Sequence, residues 1–149
     1  LVVESGSGKM RNVSAIQASS QQDGYEARKA IDGDPQTFWH SRWDDPAPTF
    51  PHGLVVQFKT SEELTGFTAL PRQDGNHNGW IKGFAFYASN DGAHWGEPVF
   101  QGRFSDDAKL KTIHFSSPVT AKFVKLVALS GYARGPWASL AEFNIIQNK

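Results

Sequence analysis

Residues 30–45 read AIDGDPQTFWHSRWDD. The oxygen donors Asp32, Asp34 and Thr37 crowd beside Phe38, Trp39, His40, Arg42 and Trp43. Two readings compete: a cation loop leading into a ligand-binding loop, or a solvated acidic turn followed by core aromatics. Gly33 lets the backbone turn so that carbonyl oxygens can point inward. Carboxylates with carbonyls suit the about six to eight oxygen ligands of calcium better than the strict octahedron of magnesium. An EF-hand is excluded, because Pro35 takes the fourth position and Trp43 stands where a bidentate Glu belongs. A further carboxylate must come from elsewhere. Glu142 is the best candidate, an acid inside the apolar terminal run Leu140, Ala141, Phe143, Ile145, Ile146, where a lone buried carboxylate is costly. Acidic turns are nonetheless common, so the residues alone favour the solvated turn with Glu142 facing solvent.

Working outward, the 149 residues fit one domain with a substantial core. The 15 basic and 15 acidic residues cancel, and no run of like charge interrupts the chain. Nucleic acid is therefore a poor partner, since phosphate binding needs a basic face, and a polybasic membrane anchor is equally unsupported. No apolar run approaches the roughly 20 residues of a membrane span, and no signal peptide opens the chain. There is no cysteine, which removes disulfides, thiolate metal sites and thiol nucleophiles. Five Trp and eleven Phe beside 14 Gly and 8 Pro suit a β domain that displays aromatics on its loops.

Residues 1–11 read as linker outside the fold, and residues 12–149 as a single domain. Gly6-Ser7-Gly8-Lys9-Met10 is not a phosphate-binding loop: the first Gly of that motif would fall at Val3, and Met10 follows the lysine. Asn12-Val13-Ser14 is a lone, weak sequon. Strands are predicted at Val13 to Ala18, Leu54 to Lys59, Leu64 to Leu70, Ile81 to Ser89, Val99 to Phe104, Lys111 to Phe115, Ala121 to Leu129 and Leu140 to Ile146. Their alternation has period two: Leu54, Val56 and Phe58 face one way, as do Phe84, Phe86 and Ala88, and Ile113 with Phe115. Only Gln22 to Ala30 looks helical. Ser89-Asn90-Asp91-Gly92 is a sharp turn. About eight half-buried antiparallel strands indicate an all-β sandwich or barrel.

Four ordered motifs extend this picture: Ala30-Ile31-Asp32-Gly33-Asp34 with Thr37 and Trp39; Pro71-Arg72-Gln73-Asp74-Gly75 with Asn78-Gly79; Ala88-Ser89-Asn90-Asp91-Gly92 with Trp95; and Ala138 with Ala141-Glu142-Phe143. Together, from about Asn12 to Gln147, they resemble a discoidin domain, the coagulation factor V/VIII type C superfamily, and most of all its bacterial family 32 carbohydrate-binding modules. The resemblance implies a jelly-roll β-sandwich with a structural calcium clamping the acidic loop to the last strand. The implied ligands are the side chains of Asp32, Thr37 and Glu142 and the carbonyls of Lys29, Asp34, Thr37 and Ala141.

A second constellation, His40, Arg42, Trp43, Arg72, Asn76, His77, Asn78, Trp80, Tyr132 and Trp137, falls on predicted loops, where recognition residues concentrate. A sugar needs an aromatic plate for its C–H face and fixed donors and acceptors for its hydroxyls. Trp43 can be the plate, with His40, Arg72 and Asn76 or Asn78 reading hydroxyls. Trp43 precedes the polar, proline-rich Asp44-Asp45-Pro46-Ala47-Pro48, which favours exposure, whereas Trp39 and Trp95 are expected in the core. Arg72 has an ion-pair alternative in Asp74 or Asp45. The spacing of His40 and Trp43 is similar to galactose-binding members of the family, but Asp45 stands where those commonly carry Arg. Galactose, N-acetylgalactosamine or another terminal sugar all stay open.

Catalytic motifs are absent: no GxSxG, no HExxH, no cysteine. The resemblance implies a non-catalytic module that binds a terminal sugar of host or plant glycans. It implies a catalytic domain in the same parent chain, a secreted or cell-surface enzyme. The competing expectation is a discoidin-type domain that binds lipid headgroups or a protein partner.

Overall fold

The computed structural model describes residues 2–3 and 8–148. Among the described residues nine strands and one short helical turn follow one another: β1 (Val2–Val3), β2 (Val13–Ala18), a 3-10 turn (Ala27–Ala30), β3 (Trp39–His40), β4 (His52–Leu70), β5 (Gly83–Ser89), β6 (Phe100–Arg103), β7 (Lys111–Ala128), β8 (Ser139–Leu140) and β9 (Glu142–Asn148). All pairings are antiparallel, as the period-two patterning requires. Seven strands connect in the order β1-β9-β4-β7-β5-β6, with β2 also on β4, and β3 pairs with β8.

The long strands β4 and β7 build both layers of a sandwich. The first part of β4 pairs with β2 and with the end of β7, which in turn carries β5 and β6. Its last part pairs with β9 and the beginning of β7. Between them the register slips at Gln57/Glu62 and Leu64/Gly66, and there the sheet folds over. Phe67 of one half then stacks on Phe86 of the other at 4.6 Å, with Phe84 and Phe143 edge-on at 5.9 Å. Leu54, Val56 and Phe58 are fully buried, so the core face is the one their alternation marks. The fold is the jelly-roll sandwich that the sequence leads one to expect.

Four expectations need correction. The segments at 54–59 and 64–70 are one strand, as are those at 111–115 and 121–129; the terminal run is instead divided at Ala141, where β8 turns to β3 and β9 to β4. The helix expected over Gln22 to Ala30 shrinks to Ala27–Ala30. Gly24 takes φ +86°, and the backbone of Gln22 and Tyr25 bonds to His40 instead of continuing a helix. The stretch 1–11 is not wholly outside the fold, because Val2–Val3 pair with Asn148 and Gln147 and Met10 is buried in the core; residues 1 and 4–7 lie outside the described set. Trp95 is only half-buried. The turn after β5 carries it to the outer face, where the Lys125 ammonium sits 4.4 Å above its ring.

Candidate functional site

The strand pair β3–β8 fixes the aromatic loop. Trp39 opposes Leu140 and His40 opposes Ser139, and neighbouring residues point to opposite faces. Trp39 enters the core, its indole N–H donating to the Ser20 carbonyl at 2.9 Å. His40 faces the loops, yet it is also buried, beneath Trp43, Phe38 and Trp137 at ring distances of 4.8, 6.4 and 6.4 Å. Its Nδ1 lies 2.6 Å from the Ser41 carbonyl. A carbonyl only accepts, so Nδ1 carries the proton and Nε2 is the bare acceptor. Burial is the main cause holding the His40 pKa below its ordinary value, the Ser41 bond opposes it, and the Arg72 charge reinforces it. The imidazole is neutral at pH 7.

Trp43 is 42% exposed, one of few large apolar side chains left in solvent. Its edge-to-face contact with His40 (86°) and a tilted contact with Tyr25 at 5.3 Å hold the ring upright. The backbone beneath is pinned from β2's following loop: Ser20 Oγ accepts from the Arg42 N–H and Gln22 Oε1 from the Trp43 N–H. The Arg42 side chain is spent on its own loop, donating to the Pro46 carbonyl at 2.9 Å.

Arg72, at the end of β4, is buried with its guanidinium 4.2 Å from the centre of Phe38. It donates through Nε and Nη2 to both oxygens of Asp74, at 3.0 and 2.7 Å, and through Nη1 to the Asn78 carbonyl. The alternative partner Asp45 is thereby set aside. These bonds are the leading cause of the depressed Asp74 pKa. Asp74 and Asn76 each accept a backbone N–H two residues on, which makes the 74–78 loop a chain of polar turns. Gly79 closes it at φ +91°, where a Cβ would strike Ser139.

Of the predicted ligand residues, the structure therefore brings His40, Trp43, Arg72 and Trp137 into one cluster, with Asn76 and Asn78 on the adjoining loop. Trp80 is buried, its N–H bonded to the Arg72 carbonyl and its face covered by His77 at 3.9 Å; it supports the loop from behind. Tyr132 points away, donating to the Phe104 carbonyl. Tyr25, Phe38 and Asp74 complete the cluster and were not singled out from the sequence as site residues. Phe38 stood inside the opening stretch, and Asp74 was one of two partners available to Arg72.

The acidic loop lies on the other side of the 3-10 turn. Gly33 adopts φ +81°. Asp32 accepts the Asp34 N–H at 3.0 Å and the Thr37 hydroxyl at 2.5 Å, and the Asp34 carbonyl also faces Thr37. Asp34's carboxylate caps the Gln36 N–H, leaving its carbonyl as the useful donor. Glu142, at the start of β9, is 1% exposed, and neither carboxylate oxygen has a hydrogen-bond partner. Its pKa is pushed up to about 8, chiefly by burial and next by the neighbouring Asp32 carboxyl; the nearby Gly33 N–H opposes this. Among the described residues no three His, Cys, Asp or Glu side chains form a metal cluster. Any ion here would depend on two carboxylates supplemented by hydroxyl and carbonyl oxygens, and that donor chemistry fits a hard cation. Lys29 lies within the turn Ala27–Ala30 that leads into this loop, and Ala141 directly precedes Glu142.

Residues 15–143 match the F5/8 type C domain. The chain is 42% identical over 145 residues to a galactose oxidase of Gibberella zeae, covering 95% of this chain and 21% of that protein. It is 30% identical over 128 residues to a sialidase of Micromonospora viridifaciens, covering 85% and 19%. The chain thus spans about a fifth of the length of these curated relatives. Among solved structures, the family 32 module of Clostridium perfringens NanJ in complex with galactose superposes with a TM-score of 0.80 at 30% identity, covering 89% of this chain and 93% of that one. A second Clostridium perfringens family 32 module, in complex with GalNAc-β-1,3-galactose, gives 0.82 at 33%, covering 92% and 96%. With its sandwich, its aromatic loop cluster and these matches, the chain belongs to the F5/8 type C, or discoidin, family and is a carbohydrate-binding module of the family 32 type.

Proposed function

We propose that this module recognises a terminal sugar of the galactose or N-acetylgalactosamine type on host or plant glycans and is itself non-catalytic. It would hold a larger, secreted glycan-active enzyme near its substrate. The observation that carries the reading is Trp43, a pinned and exposed indole beside two polar groups with fixed roles. The apolar face of a sugar packs on the indole. One hydroxyl donates to His40 Nε2, and another accepts from an Arg72 N–H while Asp74 keeps the guanidinium in place. The bound complexes of the two Clostridium perfringens modules, with galactose and with GalNAc-β-1,3-galactose, support this sugar class. A single shallow site should bind weakly, with neighbouring modules adding avidity.

The reading includes a structural calcium held by the side chains of Asp32, Thr37 and Glu142 and by carbonyls of Lys29, Asp34, Thr37 and Ala141. Its support is the orphaned carboxylate of Glu142. The ion would supply positive charge that lets Asp32 and Glu142 both ionise, joining the loop to β9.

A glycan array on the wild type and Trp43→Ala tests the sugar site. Galactoside signal that disappears in the variant is expected; binding to anionic liposomes with no glycan signal would replace the reading with the lipid-headgroup one. For the calcium, melting with and without a chelator should differ by several degrees, because a ligand specific to the native state stabilises it. Equal melting temperatures after exhaustive chelation, with no calcium in elemental analysis, speak against it.

A further inference from the structure

Between its pairing with β2, which ends at Phe58, and its pairing with β9, which begins at Leu64, strand β4 has neither partner on that edge. The sheet forks there, and the fork opens a cleft of about 1100 Å³, at the upper end of what small-ligand sites span. Of its apolar lining, Met10, Ile31 and Ile145 are buried in the core and Val13 is half-buried. Among the described residues its charged lining is lopsided: Lys9, Arg11, Arg28, Lys29 and Lys59 against Asp32 and Glu62. Both acids are engaged internally, Asp32 by Asp34 and Thr37 and Glu62 by Asn12 and Gln147. Arg28 reaches Glu26 at 3.8 Å. Among the described residues, Lys9, Arg11, Lys29 and Lys59 form no ion pair. In a chain whose charges cancel, five cations on one cleft are a concentration that the fold itself does not require.

We propose that this cleft is a second binding site, for an acidic polysaccharide whose carboxylate or sulfate groups meet the exposed Lys9, Arg11 and Lys59. A cleft of this volume with four cations free of ion pairs, on a carbohydrate-binding module, suits a chain of acidic sugars better than a single phosphate. No residue of the cleft belongs to the Trp43 cluster, so the two sites can act together, one reading a neutral terminal sugar and the other the charge of the surrounding glycan.

Affinity electrophoresis of the intact chain in calcium-containing gels tests the proposal, with polygalacturonate, dextran sulfate or neutral galactan as the embedded polymer. Retardation by polygalacturonate or dextran sulfate, weakened by added salt, is expected, and the polymer that retards more names carboxylate or sulfate as the group bound. Arg11→Glu with Lys59→Glu should weaken it by about tenfold or more, the effect of removing two exposed ion pairs at the upper end of their range. Arg11→Gln with Lys59→Gln should weaken it less and guards against misfolding of the charge reversal. Both double variants should keep the galactoside binding of the wild type, and Trp43→Ala should keep the retardation. No retardation by either acidic polymer at low salt overturns the proposal. So does retardation unchanged in both double variants, or binding only to duplex DNA or phosphatidylserine vesicles.

Discussion

Two aromatic clusters in this molecule use similar side chains and are held in opposite ways. Phe67, Phe84, Phe86 and Phe143 are at most 1% exposed, and strand register alone brings their rings together. Around Trp43 the rings of Tyr25, Phe38, His40 and Trp137 are placed by polar pins instead: Ser41 on His40, Gln22 on the Trp43 backbone, Asp74 on the Arg72 that covers Phe38. The first cluster sells nothing to solvent and sets stability. The second leaves an indole face unpaired, and that face is what a ligand can use. Burial and recognition thus compete for the same residue type, and hydrogen bonds decide which prevails.

The sharpest way to break the comparison is to truncate one ring in each cluster. Phe67→Ala removes a ring in contact with four other phenylalanines across both layers and should cost about 3–5 kcal/mol, measured by urea unfolding. Trp43→Ala, beside it, should change stability by no more than about 0.5–1 kcal/mol, since the indole is already 42% exposed. A large stability loss in Trp43→Ala would mean that the loop cluster is core after all.

The same division explains what was legible in the sequence. Period-two alternation named the core faces, because Leu54, Val56 and Phe58 had to share one side of a strand. Glu142 stood out as the one acid in an apolar run, yet the residues alone favoured a solvent-facing carboxylate; the family resemblance pointed inward, and the side chain is buried. The continuity of β4 and β7 was not readable. Thr60-Ser61-Glu62-Glu63 and Ser116-Ser117-Pro118 look like turns, but they are the solvent-facing bends where the register slips, and Pro118 lies at such an irregularity because it has no N–H for a ladder. Loop aromatics were legible only by type. Trp43 had His40 and a proline-rich loop in its favour, whereas Tyr132 was a loop aromatic and no more; the Phe104 carbonyl that takes the Tyr132 hydroxyl is set by tertiary pairing that no local pattern encodes. Trp95 was misplaced for the same reason.

A smaller effect is expected from the pin on Arg72. Asp74→Asn keeps the shape of the loop but removes the charge that two guanidinium bonds reach for. Asp74 is half in solvent, with 45% of its side chain exposed, so screening should limit the stability loss to about 1 kcal/mol. Galactoside affinity should fall more than this, because an unpinned Arg72 must be ordered again on binding. Titration calorimetry compares the two losses. An affinity loss no larger than the stability loss would show that Asp74 only supports the fold.

The finest distinction is in pH. His40 and His52 are both buried, and burial is the leading cause of the lowered pKa of each, against bonds to the Ser41 and Pro136 carbonyls. Below their ordinary value of 6.5, the unfolded chain takes up protons that the folded chain refuses, so stability must fall as pH drops through that window. The Arg72–Asp74 pair does not contribute there. Its lowered Asp74 pKa gives stability that is present above 3.8 and lost only as pH falls further. Exposed His94, raised by Asp91, acts the other way but is screened by solvent, so melting in calcium-containing buffer from about pH 7.5 to about pH 5 should show a net decline of roughly a few degrees. His52→Gln should remove part of that decline without changing sugar binding. His40 would account for the remainder, and because its neutral Nε2 is the proposed acceptor, sugar affinity should hold constant above pH 6.5 and weaken only where His40 itself gains a proton. Affinity that tracks the melting temperature step for step would instead mean that the pH effect acts through the fold, with no separate role for the His40 acceptor.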